Sequence, residues 1–263
     1  MNTNCIRFVT NSSHFSSLPG DIYCYWLSDS IVNHFIQDKR LGDFGTARQG
    51  LSTSDNNRFL RFWFEVPFES ISFDSRNCAD SVSSNKKWFP YNKAGFFRKW
   101  SSINEYVVNY AKDGKEIKTT VMEKYPYLAG PGFVVKNTEW YFKHGITWND
   151  VGTGIFCARY VPNGFVFADA GPMYFSEDDG TSLSYFNSKV FQVFADIICQ
   201  GMHYSTGHIP EIPYIPLDDL EKKSSIKCAV EENIRLSTED WDAFETSWNF
   251  HRHPLLPPKG QEI

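Results

Sequence analysis

The dipeptide Asn163-Gly164 is the strongest local constraint on how this chain can fold. Asparagine and glycine tolerate the positive φ angles of a tight hairpin turn, and the pair lies between the apolar runs 155–161 and 165–168. We therefore predict a β-hairpin there. A second hairpin is predicted over residues 105–122, around the turn Asp113-Gly114.

Helices are predicted at three places. Ser28-Asp29-Ser30 is a capping signal ahead of an apolar stretch, which indicates that a helix begins there. Residues 182–200 carry apolar side chains at spacings of three and four, the pattern of an amphipathic helix. Ser237 followed by Asp240 is a capping box, which predicts a last helix near 238–250.

The region between the first helix and the hairpins divides into a polar part and an apolar part. Residues 42–57 are rich in Gly, Ser, Thr, Asp and Asn and are predicted as a loop. The aromatic run 59–66 is predicted as a strand. Taken together, the pattern predicts an α+β fold: a β-rich domain with hairpins and a few amphipathic helices.

Composition excludes several classes of protein. The 263 residues suffice for one large domain or two small ones, and 17% are aromatic, more than a core requires, so we expect some rings on strand faces or on a binding surface. The net charge of −5 argues against a uniformly basic nucleic-acid-binding protein. The six cysteines form no C-x-x-C pair, so no metal site is expected. Without a secretory leader or a long apolar stretch, the chain is expected to be cytoplasmic and not membrane-bound.

Residues 86–100, the basic segment, differ from the rest of the chain. They combine five cations and six aromatic rings with no acidic residue. Lysine and arginine neutralise phosphates and aromatic faces stack on bases, so the segment suits nucleic acid. The alternative is a surface strand whose rings pack inward and whose lysines are merely solvated, and composition alone favours that alternative. The candidate DNA-binding residues here are Lys86, Lys87, Trp88, Tyr91, Lys93, Arg98 and Lys99.

A second candidate site is residues 49–59, the signature loop. Its small residues let the backbone approach a ligand, and its amide and hydroxyl groups can bind phosphates. A plain turn-rich connection is the alternative, and spacing alone does not decide between them. The candidate DNA-binding residues of this loop are Gln49, Thr53, Asn56 and Arg58.

The signature loop carries a resemblance to a known family. Gln49-Gly50-Leu51-Ser52-Thr53-Ser54-Asp55-Asn56-x-x-Phe59 resembles the Q-G-x-x-T-G-x-N-x-x-F signature of adenine-specific DNA methyltransferases of the type IIG and BREX phage-defence (PglX-like) group. Ser54 departs from that signature, which usually has glycine at this position. Further matching landmarks cover nearly the whole chain: residues 87–100, 104–109, 145–148, 159–165, 183–189 and 248–256.

The resemblance implies that the chain corresponds to the part of such an enzyme that follows its catalytic core. The implied division is the end of a methyltransferase domain over 1–70, a target recognition domain over 71–210, and an extended linker with a C-terminal helix over 211–263. Such enzymes bind S-adenosylmethionine through a glycine-bearing motif and hold the flipped adenine beside an Asn/Asp-Pro-Pro-aromatic motif. Neither motif occurs here, so no catalytic residue and no cofactor is assigned to the chain, which is expected to be a separated or truncated piece.

Two functions from different classes follow. The first is recognition of double-stranded DNA for an N6-adenine methyltransferase of a phage-defence or restriction-modification system, alongside a separately encoded methyltransferase subunit or other BREX proteins. The second is a noncatalytic protein-interaction or regulatory module that binds partners of the full-length enzyme. The net charge of −5 slightly favours the second, and the basic segment and the landmarks favour the first. A glycan-binding β module is a weaker third reading, suggested by the aromatic rings alone.

Overall fold

The structure is a computed structural model that describes residue 9 and residues 12–152, 154–200, 202–217 and 219–256. The predicted α+β class is confirmed: helices hold 40% and strands 16% of the described residues. The strands are β1 Gly45–Arg48, β2 Leu60–Phe62, β3 Trp88–Asn92, β4 Trp100–Ser101, β5 Tyr106–Asn109, β6 Gly145–Thr147, β7 Arg159–Val161, β8 Val166–Phe167 and β9 Met173–Ser176. The α-helices are α1 Asp29–Gln37, α2 Asn56–Phe59, α3 Cys78–Ser83, α4 Ala111–Lys124, α5 Asp179–Phe186, α6 Lys189–Ile198 and α7 Leu220–Asp242.

The described strands form two mixed sheets. The five-stranded sheet has the order β1-β9-β6-β7-β4, and the four-stranded sheet has the order β2-β5-β3-β8. Most neighbours are antiparallel, but β4 with β7 and β3 with β8 are parallel. Each parallel pair joins segments far apart in the sequence, so the fold depends on contacts that no local pattern reveals.

The five-stranded sheet separates two apolar cores. Along β9, Tyr174 packs into one core while Met173 and Phe175 pack into the other, as the alternation of side chains across a strand requires. Helices α5 and α6 cover the first core, with Phe191 fully buried. The four-stranded sheet and α4 close the second core.

The predicted hairpin over 105–122 is wrong in its second half. Strand β5 and the turn are present, and Lys112, Asp113 and Gly114 all have positive φ. These three residues interrupt the start of α4, and the chain continues after them as a helix instead of returning as a strand. Ile117 and Val121 explain the difference, because they are four residues apart and both are fully buried on one helix face.

The predicted hairpin at Asn163-Gly164 is also wrong, although the chain does turn there. Strand β7 belongs to the five-stranded sheet and β8 to the four-stranded sheet, so the flanking strands do not pair with each other. Gly164 has φ +99°, and a Cβ on it would lie 2.4 Å from the carbonyl oxygen of Phe73. Glycine is needed for this close approach as well as for its φ angle.

The helix predictions are confirmed in part. Helix α1 begins at Asp29 as predicted. The stretch 182–200 is not one helix, because the Ser188 hydroxyl accepts a hydrogen bond from the Phe191 amide at 3.1 Å and so begins α6 anew. The helix start predicted from the capping box at Ser237 is wrong, since α7 starts after Asp219 and runs through that position.

Two further segments differ from the prediction. The stretch 42–57 was predicted as a loop, but it contains β1, which pairs with the distant strand β9. The strand predicted over 59–66 is shorter, because β2 ends at Phe62 and a single helical turn, Trp63–Glu65, follows it. In the described residues, no helix is both long enough and apolar enough to cross a membrane.

Candidate functional site

Backbone contacts on two sides fix the signature loop. The Leu51 amide donates to the carbonyl of Phe167 at 2.8 Å, and the Ser52 amide donates to the carbonyl of Val134 at 3.0 Å. The buried Tyr91 hydroxyl donates to the Leu51 carbonyl at 2.9 Å. Burial raises the pKa of Tyr91, with Asp169 adding to the effect, so the phenol stays protonated and keeps this hydrogen bond. The loop is therefore held rigidly against the four-stranded sheet.

Two positions of the signature have a direct backbone explanation. A Cβ on Gly50 would lie 2.0 Å from the carbonyl oxygen of Phe167, so no larger residue fits there without displacing β8. Ser54 has φ +59°, in the left-handed region that favours glycine. The usual glycine of the signature is thus a conformational requirement. In this chain a serine adopts the same conformation, and its carbonyl accepts a hydrogen bond from Lys124 at 2.9 Å.

The polar side chains of the loop are largely engaged with one another. Buried Thr53 donates to the amide oxygen of Asn56 at 2.5 Å. Arg58 is paired with Glu116, with Nη2 2.7 Å and Nε 3.1 Å from the same carboxylate oxygen. Hydrogen bonding from Arg58 lowers the pKa of Glu116, with smaller contributions from Asn109 and from the charge of Lys87. Two nitrogens of Arg58 are therefore engaged by Glu116, and the third, Nη1, donates to the Thr120 hydroxyl at 3.2 Å.

Gln49 serves the loop as a structural anchor. Its side-chain oxygen accepts a hydrogen bond from Lys136 at 2.7 Å, and its backbone carbonyl accepts one from the side chain of Asn137 at the same distance. Asn137 adopts a strained backbone conformation, with φ +52°, in the arrangement that places its side-chain amide against this carbonyl. The two contacts fasten the start of the signature loop to the segment after α4.

A cleft of about 320 Å³ opens between the signature loop and the end of β3; we call it the loop cleft. One wall is the loop itself, and the other comes from Tyr91, Lys93 and Asp169. The ammonium of Lys93 lies 4.7 Å from the centre of the Tyr106 ring, and among the described residues it has no ion pair. The loop cleft thus brings together Thr53, Asn56 and Lys93, three residues that the sequence placed in two separate candidate sites.

The basic segment contributes less to the surface than its composition predicts. Trp88 and Tyr91 lie in β3, all five residues of which are buried, so neither ring can stack on a base. In strands with one solvated face, alternate residues point outward, but β3 is a central strand covered on both faces. For Trp88 and Tyr91, the alternative that the rings of the basic segment pack inward is therefore the correct one. Phe96 and Phe97, by contrast, are more than half exposed.

The cations of the basic segment have different roles. Lys86 donates to the carbonyl of Glu69, while exposed Lys87 lies 5.3 Å from the Trp88 ring centre. Arg98 pairs with Asp240 at 3.0 Å and also donates to the carbonyl of Ser237, both in α7. Lys99 donates to the carbonyl of Asn187 at 3.1 Å. Arg98 and Lys99 therefore hold the segment to neighbouring helices, and DNA contact by the remaining cations stays a prediction.

A set of exposed rings beside the loop cleft was not predicted as a site. Phe62 stacks on Phe64 with ring centres 5.3 Å apart and planes 3° apart, and on Tyr106 at 4.8 Å and 28°. Phe62 and Phe64 are 36% and 56% exposed. We call Phe64, Phe62 and Tyr106 the aromatic ladder. Its sequence signal was the pair of phenylalanines two residues apart in the aromatic run 59–66, but Phe64 lies in the helical turn after β2, so strand alternation does not by itself place the two rings together.

Comparison with known proteins identifies relatives over almost the whole chain, although no family model matches it. The chain is 33% identical over 255 residues to the adenine-specific methyltransferase PglX of Lacticaseibacillus casei (strain Zhang), covering 95% of this chain and 20% of that protein. It is 34% identical over 266 aligned residues to the adenine-specific methyltransferase BrxX of Escherichia coli O9:H4 (strain HS), covering 98% of this chain and 20% of that protein. The chain therefore spans about a fifth of the length of these curated relatives, and the predicted resemblance is confirmed.

Proposed function

The chain is homologous to one region of the adenine-specific methyltransferases PglX and BrxX of BREX systems, and on that premise we propose that it is the DNA target recognition part of such an enzyme. Its ligand is double-stranded DNA, and the methyl transfer itself belongs to a catalytic core elsewhere in the enzyme. The relatives are methyltransferases in name, so a region of one of them that carries no catalytic motif is best suited to binding the substrate.

The loop cleft is the observation that carries this proposal. A rigid loop presents the exposed Asn56 side chain at its wall, held by a hydrogen bond from buried Thr53, and Lys93 supplies a cation with no carboxylate partner among the described residues. Lys124, bonded to the Ser54 carbonyl, adds a second cation at the loop. Fixed donors and cations around a rigid backbone are the means by which proteins hold the phosphates of a duplex in register. The proposal relies on Lys93 and Lys124 for phosphate contacts and not on Arg98 and Lys99, whose side chains are engaged with α7 and with Asn187.

We also propose that this chain does not itself bind S-adenosylmethionine. A cofactor of that kind is commonly held where a parallel strand ends in a glycine-bearing turn that leads into a helix. In the ranges that the structure describes, the parallel pairs β3 with β8 and β4 with β7 are each two residues long, and β3 runs into a loop over 93–99. The residues do not fit the cofactor. Titration with labelled S-adenosylmethionine is expected to show no saturable binding.

Selection from a random library of DNA duplexes tests the proposal. A target recognition module enriches a short sequence motif, and its affinity falls steeply with salt because bound phosphates release counterions. We expect Lys93→Gln to weaken duplex binding and to lower the salt slope by about one unit. Lys189→Gln, an exposed lysine at the start of α6, is the matched control and leaves both unchanged. A chain that enriches no sequence and binds no duplex would favour the protein-interaction function.

A further inference from the structure

The aromatic ladder is contiguous with the loop cleft along one face of the four-stranded sheet. Leu60 and Tyr91 line the cleft, and Phe62 and Lys93 lie two residues further along the same strands or their ends, on the same face. Tyr106 of β5 connects them, because it is registered opposite both Phe62 and Tyr91. Polar groups, a cation and a row of stacked rings therefore follow one another without interruption.

The ladder has the geometry of a stack with a free end. Phe62 lies between Tyr106 and Phe64, nearly parallel to both, while Phe64 is 56% exposed. The Trp63 ring meets Phe64 edge-on at 84°, with ring centres 5.8 Å apart, which supports the position of Phe64 from the side. A flat ring can thus add to the stack at Phe64 without moving the rings behind it.

We propose that the aromatic ladder and the adjoining loop cleft bind unpaired nucleobases of DNA, an inference that rests on the proposed DNA-binding function. Bases in an intact duplex already have both faces covered by their neighbours, so an exposed stacking ring selects bases that have left the stack. Stacking on aromatic rings is tolerant of sequence, because every base has a π face. The Asn56 amide and Asp169 carboxylate in the cleft offer donors and acceptors to the edge of such a base.

The charge around the ladder distinguishes this ligand from duplex backbone. Lys93 lies over one face of the Tyr106 ring, but Glu105 and Glu65 are close enough to raise the pKa of Tyr106, behind the larger effect of burial. These two carboxylates offset the charge of Lys93 at the ladder, so the phosphate contact proposed for Lys93 is confined to the loop cleft and does not extend to the rings. Binding at the ladder therefore involves few phosphate contacts, and we expect it to have a smaller salt slope than binding of the duplex.

Fluorescence anisotropy with three labelled probes tests the inference: an intact duplex, the same duplex with a central unpaired bulge, and a single strand. We expect the parent to bind the single strand and the bulged duplex with a smaller salt slope than the intact duplex. Phe64→Ala is expected to weaken binding of the single strand by about tenfold, since losing one stacking partner has an effect of this order, and to leave intact-duplex binding unchanged. Phe64→Trp, which keeps a stacking face, is expected to retain it.

The matched control is Phe244→Ala, whose ring is 55% exposed against 56% for Phe64 and packs on Trp241 of α7 rather than on the ladder. It is expected to leave all three affinities unchanged. The inference is overturned if the parent binds neither probe that has unpaired bases, or if Phe64→Ala binds them as the parent does. Binding of single strands without any duplex binding would reject the proposed duplex recognition and keep the ladder. Binding of the intact duplex alone would reject the inference about the ladder and keep the proposed duplex recognition.

Discussion

The guanidinium of Arg98 lies 3.0 Å from the carboxylate of Asp240, which joins the basic segment to the last helix. The side chain of Arg98 is only 13% exposed, and its Nη2 donates to the Ser237 carbonyl. Its guanidinium carbon lies 5.7 Å from the centre of the Trp241 ring. Ser237 in turn donates to the carbonyl of Lys99 at 3.0 Å. A residue whose type suggested a phosphate contact is thus a structural link between two distant parts of the chain.

Arg98→Ser is expected to lower the free energy of unfolding by about 1–3 kcal/mol. The change removes a charge-assisted hydrogen bond, a second hydrogen bond to a backbone carbonyl and the packing of the side chain on a ring. Urea unfolding followed by circular dichroism measures the change. Lys87→Ser is the matched control, because Lys87 is exposed, and a loss there as large as that of Arg98→Ser would contradict the structural role.

Gly50→Ala is expected to be among the most damaging single substitutions in the signature loop. The new Cβ would lie 2.0 Å from a backbone oxygen of β8, which cannot move without breaking the Leu51 hydrogen bond to the same carbonyl. We expect a loss of about 2–4 kcal/mol in unfolding free energy. Gly130→Ala is the control, since a Cβ there meets nothing within 4 Å. Equal stability of the two variants in thermal unfolding would show that the loop is not packed as described.

Features that depend on contacts between neighbouring residues were predicted from the sequence, whereas features that depend on contacts between distant segments were not. Helix α1 follows from the local signal Ser28-Asp29-Ser30 and begins at Asp29, with Ser28 at its N-cap, as predicted. Around Asp113-Gly114 the turn was also local, but Ile117 and Val121 fit a strand or a helix in a short window, and only burial against the second core decides between them.

The candidate site shows the same limit. The signature loop was found from sequence, yet its meeting with Lys93 requires the parallel pairing of β3 with β8, across more than seventy residues. Trp88 and Tyr91 were candidate DNA-binding residues because they lie among cations, and a central position in the sheet buries them. Local composition carries no information on which strand becomes central.

Ser54→Gly is expected to stabilise the chain by about 0.5–1 kcal/mol. Serine at φ +59° bears the steric strain of the left-handed region, whereas glycine adopts that region freely, and this gain exceeds the extra entropy that glycine gives the unfolded chain. Denaturant unfolding measures the effect. Ser83→Gly, within helix α3, is the contrasting control and is expected to be destabilising by a similar amount. A stability loss in Ser54→Gly would mean that the serine is held there by something other than its backbone.

Asp178 gives the chain an acid-sensitive link between α5 and α7. Burial opposes its ionisation, but hydrogen bonds from Lys223, Lys227 and Thr181 outweigh burial and lower the pKa to about 2. A depressed folded-state pKa contributes stability that is present above the unfolded value of about 4 and is lost as pH falls towards about 2.

We expect Asp178→Asn to remove about 1–2 kcal/mol at neutral pH and to flatten the decline in stability between about pH 4 and 2, because the neutral amide has no proton to gain. Urea unfolding at a series of pH values measures both effects. Asp74→Asn, which replaces an exposed carboxylate with no ion pair among the described residues, is the control and is expected to keep the acid limb; an unchanged acid limb in Asp178→Asn would assign the link to other groups.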